Sequence, residues 1–364
     1  MSWEQVKLGD IFEIARGGSP RPIDQYITDD PNGLNWISIK DASNSSKYIY
    51  KTEKKIKPEG LHKTRLVHPN DFLLTNSMSF GRPYIMKTTG CIHDGWLVLS
   101  ADKTKVDTDY FYHLLGSDFM YRKFTGLAAG AVVKNLNTEL VKSVSVPLPP
   151  LAEQRQIASI LDQADELRQK RQQAIEKLDQ LLQATFIDMF GDPVSNPKGW
   201  EVLKWGDALK IINGKNQKAV LDQNGTFPIC GSGGVMGYAN EWLTPAQSVI
   251  IGRKGNINKP ILMFENFWNV DTAFGLVPNK DLLKVDYLFW FCHFFNFEQL
   301  NKTVTIPSLT KSDLLNIKIP IPPLEKQLYF SNICDQTRKL KSKMELKDLN
   351  LFSSLQNQAF SGTL

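Results

Sequence analysis

The proline-rich stretch Pro147-Leu-Pro-Pro-Leu-Ala-Glu-Gln154 occurs again near the end of the chain as Pro320-Ile-Pro-Pro-Leu-Glu-Lys-Gln327. Each copy ends a short alternating run, 141–147 or 315–320, and precedes a long segment that contains neither glycine nor proline. Because proline is tolerated in the first turn of a helix, each copy predicts a strand followed by the start of a long helix. The two copies therefore divide the chain into globule, helix, globule and helix.

A second pair of similar segments indicates an internal repeat. Trp3-Glu-Gln-Val-Lys-Leu-Gly-Asp10 matches Trp200-Glu-Val-Leu-Lys-Trp-Gly-Asp207, and Gly17 matches Gly214 at the same offset. Similarity at a long, fixed separation is typical of a chain built from two copies of one structural unit. The predicted boundaries are 1–150 for the first globule, 151–190 for the first helix, 191–199 for a linker, 200–323 for the second globule and 324–364 for the second helix.

The first predicted helix carries residues spaced alternately by four and three, which is the pattern of a coiled-coil seam, and the second repeats this register. The first helix would be about 60 Å long at 1.5 Å per residue. It has 5 basic and 7 acidic residues, whereas 324–364 has 6 and 4, so their opposite net charges modestly favour pairing. The predicted seam comprises Ile160, Ala164, Leu167, Arg171, Ala174, Leu178 and Leu181 in the first helix and Ile333, Leu340, Met344, Leu351 and Leu355 in the second. We therefore predict an α+β fold in which two α/β globules are separated by two long antiparallel coiled-coil helices, with a pseudo-twofold internal repeat.

Composition and missing motifs exclude several classes of protein. The 364 residues have 43 Lys and Arg against 38 Asp and Glu, and the mean hydropathy is −0.27. No apolar run approaches the roughly 20 residues of a membrane span, and the start of the chain lacks a secretory signal, so we expect a soluble, cytoplasmic protein. The four cysteines are too far apart to indicate disulfides or a paired zinc site. Because H-E-x-x-H, G-x-S-x-G and complete nucleotide-binding glycine motifs are absent, we expect a protein that is not an enzyme.

Polar and basic residues in both globules are candidates for contact with double-stranded DNA. Arg pairs with guanine, Asn pairs with adenine, and Lys neutralises phosphate, so loops that offer these side chains suit DNA recognition. The candidates are Lys54, Lys55, Asn76, Ser77, Ser79 and Arg82 in the first globule and Ser232, Arg253, Lys254, Asn256 and Lys259 in the second. Solvated hairpin tips and a lysine-rich edge strand remain alternative interpretations. So do a coiled-coil scaffold whose globules bind proteins or peptides, and an enzyme whose site has no recognisable motif.

The order of these segments resembles the specificity subunit of type I restriction-modification systems. The resemblance covers the whole chain and includes Phe190-Gly-Asp-Pro193 after the first helix, Gly252-Arg-Lys-Gly255, and Phe267-Trp-Asn-Val-Asp-Thr-Ala-Phe-Gly275. One departure is Glu325-Lys326-Gln327, where the family pattern has a glutamate before the glutamine.

The resemblance implies that each globule is a target recognition domain for one half of an asymmetric, bipartite DNA site. It also implies that the helices are the conserved spacer regions and that they dock two modification (methyltransferase) subunits. S-adenosylmethionine, ATP and magnesium would belong to those partners and to the restriction (translocase and nuclease) subunits. The chain itself would carry no catalytic residue, metal or cofactor, and would give a phage-defence system its DNA specificity.

Overall fold

The computed structural model describes residues 3–76, 81–129, 136–301 and 306–364, without the side chains of 128–129 and 346–350. The chain divides into two compact units, one formed by Met1–Arg171 with Glu345–Leu364 and the other by Gln172–Met344. This division differs from the predicted boundaries because each long helix contributes one half to each unit.

The first unit is built on two mixed sheets. Its strands are β1 (Glu4–Lys7), β2 (Phe12–Arg16), β3 (Ile27–Thr28), β4 (Leu34–Ile37), β5 (Tyr48–Ile49), β6 (Lys54–Ile56), β7 (Arg65–Val67), β8 (Phe72–Thr75), β9 (Pro83–Met86), β10 (Gly90–Ile92), β11 (Trp96–Ala101) and β12 (Ser145–Leu148). Its helices are α1 (Ile39–Ser43), α2 (Thr108–Leu115), α3 (Asp118–Ala129), α4 (Thr138–Lys142) and the first half of α5 (Leu151–Phe190). The strand orders are β3-β6-β4-β10-β7 and β2-β11-β8-β9-β5. Strands β8, β9 and β10 are buried throughout, which explains their almost continuous apolar sequence.

The second unit repeats the arrangement with fewer strands. They are β13 (Val202–Lys204), β14 (Leu209–Asn213), β15 (Phe227–Gly231), β16 (Gly234–Ala239), β17 (Ser248–Gly252), β18 (Ile261–Met263), β19 (Trp268–Asn269), β20 (Ala273–Pro278) and β21 (Lys318–Pro320). The helices are α6 (Trp205–Ala208), α7 (Val285–Phe294), α8 (Lys311–Leu315) and α9 (Leu324–Ser361), of which α9 continues into the first unit. The strand orders are β14-β20-β17-β18 and β16-β15-β19. The longest apolar run of the sequence forms α7, whose side chains fill the core between the sheet and the long helices.

The predicted repeat is visible where each long helix begins. The opening strand of each unit pairs antiparallel with the strand before the helix, β1 with β12 and β13 with β21. Both strands before the helices are shorter than the alternating runs, because Val141 and Lys142 belong to α4 and Leu315 belongs to α8. Gly17 and Gly214 are also equivalent, since a Cβ on either would come within 2.1 Å or 1.8 Å of a backbone carbonyl oxygen, from His93 or Val270 respectively. Only glycine allows this close approach.

Gln154 and Gln327 fasten the globules to the helix starts. Each side chain is fully buried, accepts one backbone N–H hydrogen bond through Oε1 and donates two from Nε2 to carbonyl oxygens. The partners are Asp107 N, Lys105 O and Pro149 O for Gln154, each at 2.8 Å, and Lys284 N, Leu282 O and Pro322 O for Gln327, at 2.8 to 2.9 Å. The glutamine of the repeated stretch therefore satisfies one backbone carbonyl in the turn before the long helix and two backbone groups in the loop before α2 or α7.

The departure at Lys326 has a structural counterpart. In the first unit Glu153 accepts a 2.8 Å hydrogen bond from the indole N–H of Trp3. In the second unit Lys326 replaces that glutamate, and the equivalent Trp200 donates instead to the carbonyl oxygen of Phe190 at 2.9 Å. The tryptophan thus keeps a hydrogen-bond partner, and the role of the glutamate is not carried over.

The long helices pair antiparallel, as predicted. In the first unit the guanidinium of Arg168 lies 5.2 Å from the ring centroid of Phe352. In the second unit Lys341 Nζ lies 2.8 Å from both carboxylate oxygens of Asp179. In the same unit the ring centroids of Phe186 and Phe330 are 5.6 Å apart, so a step forward along α5 corresponds to a step backward along α9.

The predicted seam is partly wrong in register. Leu167, Leu340 and Leu351 are 63%, 47% and 63% exposed, and Leu181 is also exposed. Ile160, Leu178 and Ile333 are half-buried. Among the described side chains, the buried positions are Gln154, Ile157, Ala158, Leu161, Ile175, Leu182, Phe186 and Phe190 on α5 and Gln327, Phe330, Cys334, Thr337, Gln356 and Ala359 on α9. Near their ends the helices pack on the globule cores as well as on each other, so the buried face is wider than a two-helix seam and is rotated toward the globules.

Candidate nucleic-acid interface

An ion pair joins each globule to its long helix at an equivalent aspartate. In the first unit Lys47 Nζ lies 2.7 Å from Asp109 Oδ1 and 2.9 Å from Oδ1 of Asp162 on α5, which is also 2.8 Å from His113 Nε2. Burial opposes the charge of Lys47, but hydrogen bonds to the two carboxylates outweigh it and raise the lysine pKa. Burial dominates at His113 and lowers its pKa despite Asp162. Lys47 therefore serves the fold of the unit.

The second unit achieves the same connection with a shorter chain of contacts. Arg338 on α9 donates to the buried carboxylate of Asp286 at 2.6 Å and to Asp335 at 2.6 Å. Burial opposes ionisation of the guanidinium, but hydrogen bonds to both carboxylates raise its pKa. Asp286 is the repeat equivalent of Asp109. The two units therefore join globule to helix through equivalent aspartates that bind different cations.

The structure separates the predicted DNA contacts of the first unit. Lys54 is exposed on β6, and the half-buried Lys55 donates to the carbonyl oxygen of Pro31 at 2.8 Å. Arg82 is exposed and lies 5.3 Å from the ring centroid of Tyr84. Ser77 and Ser79 fall outside the described residues.

The position of Asn76 does not agree with the predicted base contact. Its side chain is 3% exposed and donates to the carbonyl oxygen of Asp94 at 2.7 Å. Its backbone carbonyl accepts from Leu136 N at 2.9 Å. Because its amide is hydrogen-bonded inside the unit, Asn76 does not present its side chain at the surface.

Three arginines that the sequence reasoning did not select lie close to Asp94, whose carbonyl oxygen binds Asn76. Arg16 Nε donates to the carbonyl oxygen of Asp94 at 2.9 Å, Arg21 pairs with the Asp94 carboxylate at 3.3 Å, and Arg65 Nε donates to Arg16 O at 3.2 Å. Partial burial works against ionisation of Asp94, but the hydrogen bond from Ser19 and the charge of Arg21 outweigh it and lower its pKa. Arg65 is 49 residues from Arg16 in the sequence, and the fold brings it beside Arg16 and Arg21, which are near neighbours in the chain.

The structure brings the predicted contacts of the second unit together. Arg253, Lys254, Asn256 and Lys259 are all exposed on the loop after β17. Ser232 Oγ, in the turn between β15 and β16, donates to Lys254 O at 3.5 Å. The loop is also held by Arg253 N donating to Thr272 O at 2.8 Å and by Leu309 N donating to Arg253 O at 2.9 Å. The backbone of this basic loop, 252–259, is thus fixed while its cationic side chains stay at the surface.

The four cysteines belong to the cores. Cys91, Cys230, Cys292 and Cys334 are free and buried, and burial raises the thiol pKa to about 11 for Cys91 and Cys230 and to about 12 for Cys334. Across the part of the chain that the structure describes, no three or more His, Cys, Asp or Glu side chains are grouped to hold a metal. Among the same residues, no helix has the length and apolar character needed to cross a bilayer.

These features define a recognition protein in which two dissimilar surfaces are carried by repeated globules on a shared helix pair. Residues 1–177 and 197–347 match the family described as the type I restriction modification DNA specificity domain. The chain belongs to this family. The predicted resemblance is confirmed, and the alternative of a protein-binding scaffold is not favoured.

Individual relatives agree with the family match. The type I restriction enzyme MjaIX specificity subunit of Methanocaldococcus jannaschii is 30% identical over 62% of this chain and 56% of its own length. The putative MjaX specificity subunit of the same organism is 27% identical over 89% of this chain and 84% of its own. The EcoprrI specificity subunit of Escherichia coli is 20% identical over 92% and 87%.

Solved structures share the fold over the full chain. A chain from a study of complex assembly and conformational transition of the type I R-M system gives a TM-score of 0.63 at 20% identity, covering 100% of this chain and 98% of that one. The S subunit from M. genitalium gives 0.57 at 17% identity, covering 99% and 96%.

Proposed function

We propose that this chain gives a type I restriction-modification complex its sequence specificity and that each unit binds one half of a split DNA site. The observation that carries the proposal is that the units repeat their framework but not their exposed side chains. Gln154 and Gln327 make equivalent contacts, whereas the cations are Arg16, Arg21 and Arg65 in the first unit and the basic loop in the second. Side chains that differ contact different base edges, so the two half-sites should differ in sequence.

We further propose that the helix pair docks two methyltransferase subunits. The first unit exposes Leu167 on α5 and Leu351 on α9, and the second unit exposes Leu181 on α5 and Leu328 and Leu340 on α9. Leu167 and Leu340 are repeat equivalents, since each lies 13 residues after the repeated glutamine. Exposed leucines on both units suit two copies of one partner, since each copy would bury the same kind of apolar surface. The seam prediction for Leu167, Leu181, Leu340 and Leu351 is thereby replaced by a docking role.

The chemistry is assigned to the partners. S-adenosylmethionine would bind the methyltransferase subunits, and ATP and magnesium would bind the partners that translocate and cleave DNA. In this chain the charged groups Lys47, Asp109, Asp162, Asp286 and Arg338 already form ion pairs that join globule to helix. Because these charged groups are engaged in structural ion pairs, they support a subunit that recognises DNA and does not itself catalyse a reaction.

Genome-wide mapping of methylated adenines in cells that contain the methyltransferase subunits, with and without this chain, tests the proposal. We expect one bipartite motif with two different halves that disappears without the chain. In binding assays the complex should lose affinity for its duplex as salt rises, because counterions are released from phosphates. A methylation pattern that does not depend on the chain, or a palindromic motif, would contradict the proposal.

A further inference from the structure

The hairpin formed by β15 and β16 exposes apolar side chains because its strand pairing is irregular. Ile229 pairs with Gly237 and Cys230 pairs with Val235, which leaves Met236 as an extra residue on β16. A β-bulge of this kind breaks the alternation of side chains and can turn a residue toward a new surface. Val235 and Met236 are adjacent and yet 56% and 60% exposed, and Tyr238 is 48% exposed.

Two glycines provide the space that these side chains occupy. A Cβ on Gly231 would lie 3.3 Å from Met236 Sδ, so the thioether crosses β15 at the glycine. A Cβ on Gly237 would lie 2.8 Å from Leu221 Cδ1, and Leu221 is exposed as well. We call Leu221, Val235, Met236 and Tyr238 the hairpin patch. The fold determines the shape of this patch, because a Cβ at Gly231 would crowd Met236 and a Cβ at Gly237 would crowd Leu221.

The hairpin patch adjoins the basic loop. The contact between Ser232 Oγ and Lys254 O links the hairpin turn to residues 252–259, which contain Arg253, Lys254 and Lys259 and no acidic residue. A protein-docking surface would be depleted in lysine at its centre, whereas DNA requires cations for phosphate beside groups that contact bases. The charge next to the patch thus favours DNA as its occupant.

We propose that this hairpin enters the major groove of the second half-site and that Val235 and Met236 contact thymine methyl groups. The inference rests on the proposed function. The major groove admits a two-stranded β-ribbon, and β16 is the edge strand of its sheet. The C5-methyl of thymine is the apolar feature in that groove, and it is read by van der Waals contact with apolar side chains. Lys254 and Lys259, which are exposed on the basic loop, bind the flanking phosphates.

The test measures binding of the full complex, with its methyltransferase subunits, to duplexes that carry deoxyuridine in place of one thymine at a time. Deoxyuridine lacks only the C5-methyl group. For the unaltered chain we expect about a four-fold loss of affinity at one or two thymines of the second half-site, the value for one buried methyl group. Val235→Ala and Met236→Ala should lose affinity for the thymine duplex and no longer distinguish it from the deoxyuridine duplex at that position. Val202→Ala, which truncates an exposed valine elsewhere in the second unit, should leave the discrimination intact.

Three outcomes would overturn the inference in distinguishable ways. If the complex binds the half-site specifically but no deoxyuridine substitution weakens it, the hairpin does not contact methyl groups. If Met236→Ala impairs assembly with the methyltransferase subunits while discrimination persists, the hairpin patch docks protein. If the unaltered complex shows no sequence preference, the proposed function fails and the inference fails with it.

Discussion

Arg338 on α9 and Asp286 on α7 form a 2.6 Å ion pair that connects the second globule to its long helix. The carboxylate is almost completely buried, with 5% of its side chain exposed, whereas 32% of the arginine side chain is exposed. The same aspartate position in the first unit, Asp109, reaches α5 only through Lys47. Both units therefore place the aspartate of this junction at an equivalent position. The cation that binds the aspartate, Lys47 or Arg338, comes from a different part of the fold.

Replacing Arg338 by alanine should destabilise the second unit. Asp286 would lose its guanidinium partner and remain buried, which costs about 3 to 5 kcal/mol for a fully buried pair. Because the arginine is partly exposed, we expect about 2 to 3 kcal/mol, measured by urea unfolding. Lys170→Ala removes an exposed partner of Glu166 and should cost less than about 1 kcal/mol. Equal effects of the two variants would show that the Asp286 pair has no special role.

Replacing Gln154 by alanine should weaken the junction of the first unit. Three backbone groups would lose their hydrogen-bond partner, and each buried unsatisfied group costs about 1 to 3 kcal/mol. We expect a loss of about 3 kcal/mol in the free energy of unfolding, and a similar loss for Gln327→Ala. Gln172→Ala on the exposed face of α5 is the matched control and should change stability by less than about 0.5 kcal/mol. A small effect at both junctions would mean that water replaces the glutamine side chain.

Stability should fall as the pH is lowered below neutral. Burial lowers the pKa of His113 below its usual value of 6.5, so the unfolded chain takes up the proton first. The contribution of the neutral His113 imidazole to the free energy of unfolding is therefore fully present above pH 6.5. It is lost as the pH falls through the pKa that His113 has in the folded state. His93 and His293 shift in the same direction, mainly through burial. Replacing His113 by asparagine should reduce the slope of unfolding free energy against pH between 7 and 5. If the slope of unfolding free energy against pH is unchanged, titratable groups other than His113 cause the pH dependence of stability.

Two substitutions separate base contacts from phosphate contacts. Arg253→Ala should relax specificity at one position of the second half-site, at a cost of about 1 to 3 kcal/mol. Lys54→Ala should weaken binding to all sequences alike and lower the salt slope by about 1. Methylation mapping measures the first effect and salt titration of binding measures the second. If Arg253→Ala leaves motif and affinity unchanged, Arg253 does not read a base.

The length of α5 and α9 leads to a prediction about the gap between the half-sites. Lengthening both helices by four residues, about 6 Å, should widen the preferred gap by about one or two base pairs. The gap is read from the methylated motif of the lengthened chain. An unchanged gap would reject helix length as the determinant of spacing.

The sequence by itself determined the repeat, the bounds of α5 and the antiparallel helix pair. These depend on local properties, since a 40-residue segment without glycine or proline continues as a helix wherever it packs. The glutamines of the repeated stretch could also be singled out because they occur twice, although their hydrogen bonds could not be foreseen.

Tertiary structure alone decided which side chains reach the surface. Leu167, Leu340 and Leu351 are exposed because the globules cover the adjacent helix face, and heptad spacing does not contain that information. Asn76 is buried by a loop from a distant segment, whereas Met236 is exposed by a bulge in a strand pairing. Periodicity gives the pattern along one element, but exposure depends on what lies against that element, and those neighbours come from residues far away in the chain.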